Sequence, residues 1–158
     1  PSSYPAFQIR RVAKYKESET VPFLADLKIF RTSEIILIKA EARANAGDFA
    51  GVATQVNLIR AARFGNNSGN IAVPTSGTEA WAAILNERRV ELAFEGHRYL
   101  DIKRLGTLAN AGIDRSPADC AFNSACFLEN DDHRWTLPIP RSELAGNPNI
   151  QQNTGYTN

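Results

Sequence analysis

The sequence predicts a mainly α-helical fold. Apolar residues recur at three- and four-residue spacing over residues 32–46, 49–63 and 76–96, which is typical of amphipathic helices. Only two residues separate the first two of these segments, so their helices must pack antiparallel. We therefore expect a helical hairpin plus further helices, with small N-terminal strands and an extended, proline-rich C-terminal segment that wraps over the core.

Two short segments near the start predict the strands. Residues 6–15 and 24–30 alternate loosely between apolar and polar side chains, as half-buried strands do. The apolar positions of this pattern are Phe7, Ile9, Val12 and Tyr15 in the first segment and Leu27 and Ile29 in the second.

The predicted hairpin has clear start and stop signals. Thr32 or Ser33 can cap a helix that runs to about Ala46, Gly47 is a good helix-ending residue, and Asp48 can cap a second helix. The second helix is expected to end at about residue 63. The predicted apolar faces consist of Ile35, Ile38, Ala42 and Ala46 on the first helix and Phe49, Val52, Val56 and Ile59 on the second.

This hairpin resembles a tetratricopeptide unit, in which two antiparallel helices form one repeat of about 34 residues. A single unit cannot bury both of its faces, so its stability requires neighbours. Two sources remain open: further repeats in another part of the protein, or the third predicted helix.

A capping box predicts the start of that third helix. Ser76 is followed three residues later by Glu79, after a loop at residues 65–77 that is rich in Gly, Asn and Ser. Gly96 either kinks this helix or separates it from a short helix over residues 97–105. We expect its buried side to contain Trp81, Ile84, Leu85, Leu92 and Ala93.

The remainder of the chain has no helical period. Residues 106–135 contain mainly turn-forming residues, and the prolines of Leu137–Pro140 and of Asn147-Pro148 favour extended chain. Cys120 and Cys126 lie six positions apart in this region. They either form a disulfide, which would stabilise the fold by about 2–3 kcal/mol, or remain two free thiols. Their spacing does not fit a zinc site.

The segment Asn86–Arg104 carries nine charged residues in nineteen positions. Glu87, Glu91 and Glu95 recur every four residues, which places three carboxylates on one helix face. Because like charges at this spacing destabilise a helix, cations must approach from elsewhere. We therefore predict a partly buried ion network formed by Glu87, Arg88, Glu91, Glu95, Arg98, Asp101 and Arg104.

A catalytic interpretation of the same carboxylates is the weakest hypothesis. Glycosidases use two carboxyl groups that flank the glycosidic bond. Side chains on one helix face point in the same direction, and a cationic neighbour stabilises the ionised carboxylate, whereas a general acid must carry a proton. No catalytic residue is therefore predicted.

Composition excludes several other classes of function. The net charge of +1 provides neither the basic surface of a nucleic-acid-binding protein nor a polybasic membrane patch. Neither His97 nor His133 has a second histidine at metal-ligand spacing, and no dinucleotide or phosphate-binding motif is present. No metal and no cofactor are predicted.

The charged segment is similar to the signature of the SusD/RagB family. Three further segments match that family's pattern in the expected order: Phe30–Ala42, Asn57–Arg60, and Leu137–Pro140 followed by Asn147–Tyr156. Thr154 stands where the family usually has proline. Together these motifs span most of the chain from Phe30 onward.

The resemblance implies a function and a location. Proteins of this family are surface lipoproteins that capture glycans, and sometimes other nutrients, for uptake by Bacteroidetes-type bacteria. It implies that residues 1–158 form a single domain, the C-terminal segment of a larger, non-catalytic protein. The implied partners are an oligosaccharide and a SusC-like TonB-dependent transporter of the outer membrane, with a lipid anchor outside this sequence. An exported protein also favours the disulfide.

A different class of function remains as the alternative: a tetratricopeptide-like adaptor that binds a protein or a peptide. For the glycan hypothesis, sugar binding requires exposed aromatic faces beside amide and carboxylate groups. The candidates for ligand binding are Phe122, Asn123, Phe127, Asn130, Asp132 and Trp135, although Trp135 is favoured as a core residue. In the resembled family the ligand contacts lie in variable loops, so no motif position inherits a binding role.

Overall fold

A computed structural model describes residues 29–157 of the chain, and its helical unit begins at Thr32. The prediction of a mainly α fold is confirmed. The predicted strand at residues 6–15 lies outside the described residues, as do residues 24–28, and Ile29 and Phe30 have no regular structure. Residues 29–157 contain six α-helices: α1 (Thr32–Asn45), α2 (Phe49–Phe64), α3 (Gly77–Glu91), α4 (His97–Ala109), α5 (Pro117–Cys120) and α6 (Arg141–Gly146).

Short elements connect these helices. Two 3₁₀ turns span Asn67–Gly69 and His133–Trp135. Strands β1 (Ile113–Asp114) and β2 (Phe127–Leu128) pair antiparallel, with Ile113 opposite Leu128. This small ribbon lies within the region where the sequence showed no period.

The α1–α2 hairpin forms as predicted, but α1 buries a different face. Asp48 caps α2 by accepting a hydrogen bond of 2.8 Å from the backbone N–H of Gly51. Ile35 and Ile38 are 45% and 49% exposed, so the predicted face of α1 is wrong. The run Ile35–Ile38 is apolar on all sides, and its period therefore cannot select a face. The buried residues are Leu37, Ala40 and Ala44 on α1 and Val52, Ala53, Val56 and Ile59 on α2.

Helix α3 starts with a variant of the predicted capping box. The hydroxyl of Ser76 accepts a hydrogen bond of 3.2 Å from the N–H of Glu79. The carboxylate of Glu79 accepts hydrogen bonds from the backbone N–H and the hydroxyl of Thr75, at 2.7 and 2.8 Å, and not from the N–H of Ser76. The backbone hydrogen bond, followed by the hydroxyl, lowers the pKa of Glu79 below its ordinary value.

Gly96 separates two helices and does not kink one. It adopts a left-handed backbone (φ +81°) that few residues other than glycine tolerate. Helix α3 therefore ends at Glu91, and Leu92 and Ala93 lie in the connecting turn. Helix α4 continues to Ala109, four residues beyond the predicted end, and Asn110 ends it in a left-handed conformation.

The third helix covers the face of the α1–α2 hairpin that a single tetratricopeptide-like unit would leave exposed. Helix α3 packs against both α1 and α2, so within the described chain it takes the place of a second repeat. One cluster joins these three helices through Ala40, Ala44, Val52, Val56, Ala80 and Ile84. A second joins α3, α4 and the C-terminal region through Leu85, Ile102, Leu105, Ala109 and Trp135.

The C-terminal segment is extended around one short helix that the sequence did not predict. The amide of Gln152 accepts a hydrogen bond of 2.8 Å from the N–H of Ile139 and donates one of 3.0 Å to its carbonyl. Asn153 donates to the carbonyl of Leu137 at 2.7 Å. The two proline-containing motifs therefore hold each other, and α6 lies between them without a buried residue.

We expect Ile84→Ala to lower the free energy of unfolding by about 2–5 kcal/mol, because Ile84 is fully buried and the truncation leaves a cavity. Val90→Ala on the same helix is the control, and its effect should stay within about 0.5 kcal/mol, since Val90 is exposed. Urea unfolding followed by circular dichroism measures both values. Equal losses in the two variants would contradict the packing described here.

Candidate functional site

The carboxylates of α3 are neutralised from the neighbouring helix α2. The Nε of Arg60 donates a hydrogen bond of 2.7 Å to Glu87. Arg63 donates to both oxygens of Glu91, with its Nε at 2.9 Å. The hydrogen bond to Glu91, and then the charge of Glu91, raise the pKa of Arg63. The two glutamates are buried, so these pairs fix α3 against α2.

A second set of charges, Glu41, Arg88, Asp101 and Arg104, forms what we call the central cluster. Arg88, which is 4% exposed, donates from Nε to Asp101 at 2.8 Å, and its Nη1 lies 3.4 Å from Glu41. The guanidinium of Arg104 donates hydrogen bonds to both carboxylate oxygens of Glu41, at 2.6 and 2.7 Å, and to Asp101 at 2.9 Å. The hydrogen bonds to Glu41 are the largest cause that raises the pKa of Arg104. Two guanidinium groups and two carboxylates thus join α1, α3 and α4.

Glu95 and Arg98 do not continue the row of charged residues on α3 that the sequence pattern predicts. Because α3 ends at Glu91, the four-residue column contains only Glu87 and Glu91, and Glu95 belongs to the turn before α4. The described residues contain no ion pair that includes Arg98. Its Nη1 is buried without a hydrogen-bond partner. Burial is the main cause that lowers the pKa of Arg98, and the nearby charge of Arg89 is the next.

The sequence pattern does not identify Glu41, Arg60 and Arg63, which take part in four of the six ion pairs described above. The only signal was that Glu41 and Arg60 lie inside the motifs Phe30–Ala42 and Asn57–Arg60. The second motif also holds a loop. The side chain of Asn57 bonds to the carbonyl and N–H of Ile71, at 3.1 and 2.8 Å, and Arg60 bonds to the carbonyl of Gly69 at 2.9 Å.

A disulfide between Cys120 and Cys126 closes a small loop. Arg115 supports the base of this loop: its N–H donates to the carbonyl of Cys126 at 2.8 Å, and its guanidinium donates to the carbonyls of Asp119 and Ala125. Phe122 lies within the loop and is 84% exposed. The loop thus presents an aromatic ring on a backbone with few free torsions.

The ligand-binding candidates differ in their availability. Trp135 is 5% exposed and donates from Nε1 to the carbonyl of Glu129 at 2.6 Å, so burial excludes it as a stacking surface. The polar candidates serve local structure. Asn123 accepts from the N–H of Ala125, Asn130 donates to the carbonyl of Gly106, and Asp132 bonds to the backbone and guanidinium of Arg134. The exposed aromatic candidates are Phe122 and Phe127.

Within residues 29–157, no three His, Cys, Asp or Glu side chains are grouped in a way that could hold a metal ion. None of the helices in that part of the chain combines the length and the apolar character needed to cross a bilayer.

These features define a mainly helical protein whose charged motifs hold its own helices together. The chain belongs to the SusD family, whose model matches residues 6–156. It is similar to SusD-like protein P2 of Formosa agariphila, with 36% identity over 132 residues, which cover 80% of this chain and 25% of that protein. It is also similar to SusD-like protein P38 of the same organism, with 30% identity over 92% of this chain and 28% of the relative.

The fold has a counterpart among solved structures. A SusD superfamily protein from Bacteroides fragilis superposes with a TM-score of 0.59 and 23% identity, over 81% of this chain and 28% of that one. The chain therefore spans about a quarter of the length of its relatives.

We expect Arg88→Ala to lower the free energy of unfolding by about 3–5 kcal/mol, because it removes the buried cation between Glu41 and Asp101 and leaves the buried carboxylate of Asp101 with Arg104 alone. Arg43→Ala is the matched control. Arg43 pairs with Asp48 at 3.0 Å on the surface, and its loss should cost less than about 1 kcal/mol. Chemical denaturation distinguishes the two, and a cost below 1 kcal/mol for Arg88→Ala would show that the central cluster is a solvated surface feature.

Thiol alkylation under denaturing conditions tests the disulfide. Without reductant, mass spectrometry should detect no added alkyl group, whereas prior reduction should add two, one on each cysteine. Reduction should also lower the free energy of unfolding by about 2–3 kcal/mol, the value expected for so short a closed loop. Labelling of both cysteines without reductant would contradict the bond.

Proposed function

We propose that the protein to which this chain belongs binds an oligosaccharide at the cell surface without cleaving it and delivers it to a SusC-like TonB-dependent transporter. The observation that carries the proposal is the SusD family match over residues 6–156. Membership of this family implies a glycan-binding role and a SusC-like partner in general. The protein would act as an outward-facing lipoprotein of the outer membrane.

The contacts of the carboxylates support a non-catalytic role. Glu87 and Glu91 are buried and each is bonded to an arginine of α2, while Asp101 lies between Arg88 and Arg104. A glycosidase needs one carboxyl group free to donate a proton and a second on the other side of the bond. Side chains that are committed to guanidinium groups inside a helical layer are poorly placed for either task.

Within such a protein this segment would act mainly as scaffold. The residues of its family motifs form ion pairs with other side chains of the protein and donate hydrogen bonds to its backbone. Asn57, Arg60 and Gln152 are examples of the second kind of contact. We propose Phe122, with Phe127 second, as its contribution to ligand contact. A rigid, exposed aromatic ring can cover a sugar face at low entropic cost, and the disulfide already constrains the loop.

Calorimetric titration of the complete protein with a panel of oligosaccharides tests the proposal. We expect binding to at least one oligosaccharide, and chromatography of the incubated mixture should show no shorter product. The proposal fails if the protein hydrolyses a glycan and Glu91→Gln abolishes that hydrolysis while the circular dichroism spectrum stays unchanged.

Once a bound oligosaccharide is known, Phe122→Ala should weaken its binding by at least about tenfold, which corresponds to the roughly 1.4 kcal/mol or more expected for a stacked aromatic contact. Phe64→Ala, which removes an exposed ring at the end of α2, is the matched control and should leave the affinity unchanged. Equal affinities for the wild type and Phe122→Ala would place the ligand site outside this loop.

A further inference from the structure

A concave surface lies between the end of α3 and the start of α4, with a volume of about 350 Å³. We call it the arginine pocket. Among residues 29–157, Arg88, Arg89 and Arg98 line it together with the aromatic rings of Phe94 and Tyr99, and none of these described lining residues is Asp or Glu. A pocket of this size accommodates a small ligand group.

Two of these guanidinium groups have unused donors. The Nη1 atoms of Arg98 and Arg88 are buried and have no hydrogen-bond partner in the described part of the protein. Arg88 is otherwise engaged, since its Nε bonds to Asp101 and its Nη1 lies 3.4 Å from Glu41. Arg98 has no comparable carboxylate among residues 29–157. Buried donors in folded proteins almost always have a partner, so an unpaired guanidinium N–H calls for an acceptor.

The charges around the pocket are predominantly positive. Arg89 lies close enough to Arg98 for its charge to lower the pKa of Arg98, an effect second only to burial, whereas Asp101 opposes it. Asp114 lines an adjoining concavity that shares Arg89, Arg98 and Tyr99 with the pocket. Helix α4 also begins at Gly96, which has no side chain to cap the first N–H groups. Two cations beside an uncapped helix start form a surface that favours an anion.

We propose that the arginine pocket binds a carboxylate, held by the guanidinium of Arg98 with Arg89 as the second cation. The planar guanidinium fork matches the two oxygens of a carboxylate, which suits it better to this group than to a neutral hydroxyl. Two sources can supply the same chemistry: an acidic sugar of a bound ligand, or an Asp or Glu side chain from the rest of the longer protein. The acidic-sugar source rests on the proposed glycan binding, whereas the side-chain source does not.

Titration of the complete protein with sodium glucuronate, followed by calorimetry at low salt, separates the sources. Glucose is the neutral control ligand. If the pocket is open, glucuronate binds, glucose does not bind with the same affinity, and Arg98→Ala weakens glucuronate binding by at least about tenfold, the loss expected for one charge-assisted hydrogen bond. Lys103→Ala removes an exposed cation from the same helix and should leave that affinity unchanged. Should Arg98→Ala fail to fold, Arg89→Ala repeats the comparison.

If the complete protein does not bind glucuronate, its crystal structure decides. An Asp or Glu oxygen within 4 Å of the Arg98 guanidinium supports the proposal with the protein itself as the source. Absence of both glucuronate binding and such a carboxylate overturns it. Glucuronate binding that is equal in the wild type, Arg98→Ala and Arg89→Ala also overturns it, because the anion then binds elsewhere.

Discussion

The buried contact between Arg88 and Asp101 holds α3 against α4. Both side chains are buried, and their 2.8 Å bond links α3 to α4 across the turn that Gly96 permits. Arg104 and Glu41 extend the link to α1. Burying a charge pair costs desolvation energy, so its net contribution to stability is small, but losing one partner is costly. The cluster therefore specifies which helix faces meet more than it increases stability.

The same logic explains why the family motifs reveal so little about ligands. Asn57 and Arg60 hold the loop before α3, Gln152 and Asn153 hold the Leu137–Pro140 segment, and the acidic residues of α3 bind arginines of α2. Each motif satisfies polar groups that the fold would otherwise bury unpaired. The motif residues are therefore committed to contacts within the fold, and the exposed rings of Phe122 and Phe127 lie in less regular elements such as the disulfide-closed loop.

Local signals in the sequence predict the four long helices α1 to α4, but they do not predict the short helices α5 and α6 or which helix faces meet. Gly47, Asp48 and Ser76 marked helix ends because capping depends on neighbouring residues. The prediction of the buried face of α1 is wrong because four consecutive apolar residues give no indication of which side of the helix is buried. The charged stripe required cations, yet spacing along one helix could not identify Arg60 and Arg63 on another. Arg98 was grouped with Glu95 by sequence distance, whereas the turn at Gly96 changes the direction of the chain between them.

The acidic residues of α3 and α4 bind the protein's own arginines and thereby hold its helices together. A double-mutant cycle on Arg88 and Asp101, with Arg88→Ala, Asp101→Ala and the double variant, measures their coupling free energy most directly. We expect a coupling of about 1–3 kcal/mol in the unfolding free energy, because the pair is buried and belongs to a network. A coupling below about 0.5 kcal/mol would contradict it, since that is the range of solvated surface pairs.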